Sequence, residues 1–304
     1  MMVCCRIALL AAFSLAVTMA RADSVDDALT RDPPEHWSHP ASMLELVIDS
    51  HGERLPAHIY LASGPGPHPT VVLLHGFPGN ERNLDLAQAL RRFGFNTVFF
   101  HYRGAWGGTG SYRLSHLSED ALAVLAYLRD ETRAKRLRVD PGNLSLLGHS
   151  LGAYTALASA ARDRDLRCVM ALSPANPGGW KGSLERDGNR AAQGLATYAD
   201  SLFMLRGLSG AALRDELLET GMALLDTRGF GSGLKGQRVL LVVGEEDRVT
   251  PADTMFDPVV AAYEEAGVDV TALKLPGDHS FSASRVRLTR ELLRWSGDNC
   301  RGDS

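Results

Sequence analysis

Residues 143–152, NLSLLGHSLG, decide the fold predicted for this chain. The leucines form a short apolar run typical of a buried strand, and the alanine-rich segment that follows has high helix propensity. A strand, a G-x-S-x-G turn and a helix in immediate succession are the context of a nucleophile elbow. Glycine is needed at 148 and 152 because a Cβ there would collide with the neighbouring strand or helix. We therefore expect Ser150 to hold a strained backbone conformation that presents its hydroxyl to a substrate.

Composition and charge narrow the class of protein. A hydrophobic content of 45% and a charged content of 22% are typical of a globular protein. The net charge is −4 and no run of like charges occurs, so nothing points to nucleic acid or to an anionic membrane as a partner. An acidic substrate stays open, because local fields need not follow the net charge.

Residues 1–22 have the composition of a secretory signal peptide. Arg6 supplies the positive region, residues 7–20 form an apolar core that is short for a membrane span, and Ala20-Arg21-Ala22 offers a cleavage motif. We expect cleavage after Ala22, a secreted or periplasmic location, and no membrane span in the mature protein. A buried N-terminal helix is the alternative.

Apolar runs alternate with amphipathic helical patterns along the rest of the chain. Strands are predicted at 44–48, 56–61, 69–74, 96–100, 144–147, 167–172, 239–243 and 268–275, and helices begin near Asn80, Ser118, Ala153, Pro251 and Ser282. The first two strands form an antiparallel hairpin. The alternation predicts an α/β fold in residues 23–304, with a single doubly wound, mostly parallel sheet.

Residues 177–236 interrupt this alternation. They hold two helical patterns, 190–205 and 211–225, where one crossover helix would suffice. We expect a helical cap inserted between two strands, with glycine-rich flanks suited to hinges.

Three residues at predicted strand ends carry the chemistry. A serine is a poor nucleophile unless a histidine takes its proton, and a carboxylate must orient that histidine. Ser150, Asp247 and His279 follow three predicted strands, and the carboxyl ends of parallel strands hold the sites of open sheets. Other carboxylates compete with Asp247: Glu245, Glu246 and Asp278. His149 is expected to pack behind the elbow.

The loop His75-Gly76-Phe77-Pro78-Gly79 supplies a fourth part. Acyl transfer needs backbone donors for the developing oxyanion. The amides of Leu151 and Phe77 are the predicted pair, since Gly76 lets the loop fold back over the sheet edge.

These motifs resemble those of the α/β-hydrolase superfamily. GHSLG, HGFPG, GEEDRVTP and GDHSF fall in the family's order, and the resemblance runs from about Leu44 to Trp295. YRGAWGGTGSY is similar to the dienelactone-hydrolase and prolyl-oligopeptidase-like branch, although His101 stands where many relatives have Asp or Asn. HGFPG also resembles epoxide hydrolases, but those use an Asp nucleophile, which Ser150 argues against.

The resemblance and the residues together predict an exported serine hydrolase. It would cleave carboxylic esters through an acyl-enzyme, acting on a small ester or a short peptide. A peptidase or amidase, an acyltransferase with the same triad, and a non-catalytic binding scaffold are the alternatives. No cluster has metal-ligand spacing and no dinucleotide-binding motif occurs, so no metal or cofactor is expected.

Pocket residues and cysteines are less constrained by the sequence. Trp106, Tyr198 and Phe203 are candidate substrate contacts that could equally be packing residues. Cleavage of the signal peptide leaves Cys168 and Cys300, both expected at the sheet edge away from the site. Whether they pair stays open, because a bridge requires Cα atoms within about 7 Å.

Overall fold

Eight strands form one sheet in the computed structural model, which describes residues 24–187 and 189–302. The strands are β1 (Ser42–Ser50), β2 (Glu53–Leu61), β3 (His68–Leu74), β4 (Asn96–Phe100), β5 (Val139–His149), β6 (Cys168–Leu172), β7 (Arg238–Gly244) and β8 (Asp269–Leu275). Their order is β1-β2-β4-β3-β5-β6-β7-β8. The β1–β2 hairpin and the β2–β4 pair are antiparallel, and all other neighbours are parallel. The mostly parallel sheet predicted from the sequence is confirmed.

Helices cover both faces of this sheet. One face carries α1 (Val25–Thr30), α2 (Leu84–Arg92) and α12 (Arg285–Asn299), and the other carries α3 (Leu114–Arg129), α5 (Leu151–Ala160) and α11 (Asp257–Glu265). The short α4 (Glu131–Arg136) precedes β5. Val72 packs in one core, whereas Val71 and Leu73 pack in the other. Central strands buried on both faces explain why the sequence shows continuous apolar runs there. The predicted signal peptide, residues 1–22, lies outside the described residues.

Helix α3 begins at Leu114, four residues before the start predicted at Ser118. Glu216 is the cause: its carboxylate accepts hydrogen bonds from the amides of Leu114 (3.1 Å) and Ser115 (2.9 Å). These amides have no partner within their own helix, and no local pattern shows a cap that arrives from a distant segment.

Buried charges fix the loop after β4 against α3. Asp120 is fully buried and accepts from Arg103 Nε (2.6 Å), the Arg103 amide (2.9 Å) and Ser50 Oγ (2.6 Å). The Arg103 guanidinium also donates to Glu119 (2.5 Å). A buried carboxylate with this many donors holds its loop in one place, because losing a partner leaves an uncompensated charge.

Three other helices differ from their predicted bounds. The helix expected from Asn80 begins at Leu84, and Arg285 holds its start through Asn83 (3.1 Å). A π-helical turn, Ala252–Phe256, comes between Pro251 and α11. Helix α12 begins at Arg285 and not at the predicted Ser282, because the Ser282 amide donates to Asp278 (2.8 Å) in a turn.

Residues 177–236 form several short helices between β6 and β7: α6 (Pro177–Asp187), α7 (Asn189–Asp200), α8 (Gly210–Glu219), α9 (Met222–Leu225) and α10 (Gly231–Leu234). We refer to this stretch as the cap segment. Both predicted helices end earlier than their patterns suggested. Helix α7 stops at Asp200, whose carboxylate accepts from the Gly210 amide (2.7 Å). The second pattern breaks at Thr220 and Gly221.

A disulfide joins Cys168 at the start of β6 to Cys300 just after α12. Their Cα atoms lie 5.5 Å apart, and 132 positions separate them in sequence. The pairing that the sequence left open is present, because α12 runs back from the active-site edge to the far edge of the sheet.

We expect the double variant Cys168→Ser/Cys300→Ser to lose about 2–5 kcal/mol of unfolding free energy, since the bridge closes a long loop in the unfolded chain. Thermal denaturation with and without dithiothreitol measures it. Reductant should lower the midpoint of the parent protein and leave that of the variant unchanged. A parent midpoint insensitive to reductant would contradict the expectation.

Candidate active site

The turn between β5 and α5 brings three backbone segments into close contact. A Cβ at Gly148 would lie 2.0 Å from the Gly152 carbonyl oxygen, and one at Gly152 would lie 2.0 Å from the Leu74 carbonyl oxygen. Only glycine fits at such distances. Ser150 has φ 58° and ψ −120°, a backbone conformation that residues other than glycine rarely adopt. The turn therefore projects Ser150 from the carboxyl end of β5.

His279 and Asp247 form a hydrogen-bonded pair beyond β8 and β7. His279 Nδ1 donates to Asp247 Oδ2 at 2.8 Å. The Asp247 side chain is fully buried, whereas that of His279 is 19% exposed. Because Asp247 accepts this bond, Nδ1 carries the proton in the neutral imidazole, and Nε2 keeps its lone pair.

Asp247 is held by its own turn. Oδ1 accepts from the amides of Val249 (2.8 Å) and Thr250 (2.9 Å), and Oδ2 also accepts from Thr250 Oγ1 (2.8 Å). Burial alone would raise the pKa of Asp247, but the bonds from His279 and Thr250 outweigh it and hold that pKa well below its usual range. The carboxylate stays ionised and keeps His279 oriented. The role of Thr250 was not predicted from the sequence, although the Asp-x-x-Thr spacing could have indicated it.

His149 links the elbow to the loop that carries His279. Its Nε2 donates to the His279 carbonyl oxygen at 2.8 Å, and the two imidazole centroids lie 4.8 Å apart. Burial and the nearby His279 lower the pKa of His149 to about 4, so it acts as a neutral donor. This contact places His279 next to the residue that precedes Ser150.

The loop after β3 passes directly over Ser150. A Cβ at Gly76 would lie 2.9 Å from Ser150 Cβ and 3.5 Å from Ser150 Oγ. Within residues 24–187 and 189–302, the amides of Phe77 and Leu151 donate no hydrogen bond to the protein. Two free backbone donors thus flank the serine, an arrangement suited to binding a negatively charged oxygen.

The buried side chain of His75, at the start of this loop, fixes the loop's conformation. Its Nδ1 donates to the Gly76 carbonyl oxygen (2.8 Å), and a Cβ at Gly79 would lie 2.5 Å from the same nitrogen. Burial lowers the pKa of His75 to about 4, so it stays neutral.

The competing carboxylates lie elsewhere. Glu245 and Glu246 are exposed, and Glu246 accepts from the Gly277 amide. Asp278 accepts from the Ser282 amide (2.8 Å) and Ser282 Oγ (2.9 Å), which turns it away from His279.

The candidate pocket residues lie where the cap segment meets the loops of the sheet. The Tyr198 ring is 5.8 Å from that of Phe77, in an edge-on arrangement. Trp106 bonds both to the loop after β3 and to the cap segment. Its Nε1 donates to the Pro78 carbonyl oxygen (2.8 Å), and its backbone amide donates to the Met204 carbonyl oxygen (3.0 Å). Phe203 is 91% exposed and lines a surface pocket with Trp106.

No group of three or more His, Cys, Asp or Glu side chains in the described part of the chain is placed to hold a metal ion. No helix there is long and apolar enough to cross a membrane.

Curated relatives match part of the chain. The quorum-quenching protein AidA of Acinetobacter baumannii is 28% identical over 146 residues, 46% of this chain and 46% of that protein. Esterase EstD of Thermotoga maritima is 31% identical over 150 residues, 45% of this chain and 34% of that protein. The matches thus span less than half of these relatives' lengths.

Solved structures resemble almost the whole described fold. Est1E from Butyrivibrio proteoclasticus has a TM-score of 0.62 at 19% identity, covering 84% of this chain and 98% of that one. The acylaminoacyl peptidase of Pyrococcus horikoshii has a TM-score of 0.63 at 14% identity, covering 87% of this chain and 43% of that one. At such identities the likeness shows the fold alone.

A family model described as "Alpha/beta hydrolase family" matches residues 71–288. This range runs from β3 into α12 and so includes the loop over Ser150, the elbow and the loops carrying Asp247 and His279. The chain belongs to the alpha/beta hydrolase family.

Proposed function

We propose that this chain is an exported serine hydrolase that cleaves carboxylic esters through an acyl-enzyme. The hydrogen bond between His279 Nδ1 and Asp247 carries the proposal, because it leaves a basic Nε2 on a histidine beside the elbow of Ser150. Membership of the alpha/beta hydrolase family and the esterase among the curated relatives support it.

Acylation would use each group in turn. Ser150 Oγ attacks the ester carbon while His279 Nε2 takes its proton, and Asp247 stabilises the imidazolium that forms. The carbonyl oxygen becomes negative and accepts from the amides of Phe77 and Leu151. His279 then protonates the departing alcohol oxygen, which leaves an ester between Ser150 and the acyl group.

Deacylation repeats these steps with water. His279 takes a proton from the water molecule, the hydroxyl attacks the acyl carbon, and the same two amides hold the oxyanion. The proton returns to Ser150 Oγ as the carboxylic acid is released. An alcohol in place of water would give acyl transfer instead. The same residues would cleave an amide by protonating an amine.

Export is proposed from residues 1–22 and is supported by the disulfide, because such bonds persist in oxidising compartments. The cap segment is proposed to form the acyl-side wall, through the contact of Tyr198 with Phe77.

Ser150→Ala and His279→Ala should each lower kcat on p-nitrophenyl butyrate by about 10³-fold or more, because each removes a reacting group. Asp247→Asn should cost less, since it disturbs orientation and charge but leaves the base in place. Circular dichroism controls for folding, and peptide p-nitroanilides assayed in parallel test the amidase alternative. Wild-type turnover by Ser150→Ala would refute the mechanism.

Tyr198→Ala should shift the preference between acetyl and octanoyl esters by about 1–3 kcal/mol in kcat/KM, because it removes an aromatic ring beside Phe77. Phe203→Ala is the matched control, since its ring is 91% exposed and should have the smaller effect. Labelling of Ser150 by a small fluorophosphonate should barely change in either variant. Unchanged chain-length preference in both variants would argue against the cap segment as the acyl-side wall.

Expression in a bacterial host with an intact export pathway should yield a chain that begins at Asp23, because Ala20-Arg21-Ala22 is the cleavage motif. Mass spectrometry of the periplasmic and culture fractions measures it. An Ala22→Arg variant is the control and should retain its leader. Recovery only of the uncleaved parent chain would contradict export.

A further inference from the structure

A cavity of about 760 Å³ lies on the outer part of the sheet, between β1, β2, β4 and the loop that follows β3. This volume lies within the range of small-molecule sites. Its lining includes Arg82, His58, His101, Tyr60, Phe99 and Val47, and contains none of the three residues of the proposed triad. The proposed function therefore gives this cavity no role.

Arg82 is the unusual feature of its wall. The residue is half-buried, and within the described ranges its guanidinium donates no hydrogen bond and forms no ion pair. Its contact is with an aromatic face, since Cζ lies 5.0 Å from the centre of the Trp106 ring. A guanidinium keeps its charge at any physiological pH, and its planar set of donors matches a carboxylate. An unpaired one in a cavity wall indicates an anionic partner.

The other polar residues that line the cavity also favour an anionic ligand. Arg54 adds a second guanidinium, against the single carboxylate of Glu45 among the lining residues. Burial and, after it, the neighbouring His75, Arg82 and His58 lower the pKa of His101 to about 3, and burial and Arg82 lower the pKa of His58. Both imidazoles are neutral near pH 7, so they can offer hydrogen bonds without adding charge.

Apolar side chains form the other part of the wall. The rings of Tyr60 and Phe99 line it beside the exposed side chains of Met43 and Val47. Such a surface accommodates a hydrocarbon or aromatic body, while the polar groups fix one end of the ligand. An inorganic anion would leave these apolar groups without a partner.

We propose that this cavity binds an organic carboxylate with an apolar body, its carboxylate paired with Arg82 and its body packed on Tyr60 and Val47. The ligand could arrive as a free acid or as the acidic end of a longer substrate, since both have the same chemistry. The site would adjoin the oxyanion loop, because Trp106 contacts Arg82 and also donates to the Pro78 carbonyl oxygen.

Calorimetric titration of the mature Ser150→Ala protein with phenylacetate tests the proposal without requiring catalysis. Arg82→Gln should weaken binding at least tenfold, and Arg82→Lys should weaken it less. Phenylacetamide, the neutral isostere, should bind weakly to all three proteins. The matched control Arg136→Gln removes one charge from exposed α4, outside the cavity, and should bind phenylacetate like its parent. Equal affinity of Arg82→Gln and its parent would overturn the proposal.

Two further measurements separate this cavity from the triad and identify the ligand's source. Phenylacetate should still bind wild-type protein whose Ser150 carries a diethyl phosphoryl group. Loss of binding would mean that phenylacetate occupies the space beside Ser150, and this would overturn the proposal. The hydrolysis of p-nitrophenyl esters is then measured in the presence of phenylacetate. Competitive inhibition supports the view that the bound carboxylate is the acidic end of a substrate. A change in kcat without competition supports a free acid. Because the titration uses an inactive protein, failure of the proposed esterase activity would leave its result standing.

Discussion

The rest of the site depends on one constraint at the elbow: the backbone segments there touch each other directly, with no room for a side chain between them. Strands β3 and β5 and helix α5 approach each other so closely that no Cβ fits at Gly148 or Gly152. This approach forces Ser150 to a positive φ and brings Gly76 against the serine. The proposed nucleophile, Ser150, and the proposed oxyanion donors therefore depend on the same close backbone packing. An alanine at either glycine would disturb both, since the clash is with backbone that cannot rotate away.

Burial and hydrogen bonding fix the charge states of three side chains around the elbow. Asp247 is ionised, whereas the neighbouring histidines at 75 and 149 are held neutral by burial. These two imidazoles act through single hydrogen bonds, one to the loop over Ser150 and one to the main chain of His279. Positive charge that develops on His279 during a reaction would then meet the fixed negative charge of Asp247. Such fixed dipoles and charges need little rearrangement when charge moves.

The sequence predicted what depends on local pattern and missed what depends on distant partners. The strands, the hairpin and the elbow follow from apolar runs and glycine spacing, and each lies close to its predicted position. The start of α3 could not be predicted, since Glu216 lies about a hundred residues away. Arg82 also escaped notice, because only the folded loop brings it over Trp106 and into a cavity wall. The order of the Ser, Asp and His residues was readable, whereas Thr250 became evident only through its contact with Asp247.

The contact of Glu216 with the start of α3 bears on how the chain can fold and evolve. Helix α3 follows β4 and packs on the main core, yet its first amides are satisfied by a residue from the cap segment. Deleting that segment would expose the core below it and would also leave α3 to fray from its first turn. The cap segment is thus structurally integrated, not an independent module. Exchange of this segment between relatives would have to preserve an acidic side chain at this position, whatever else it changed.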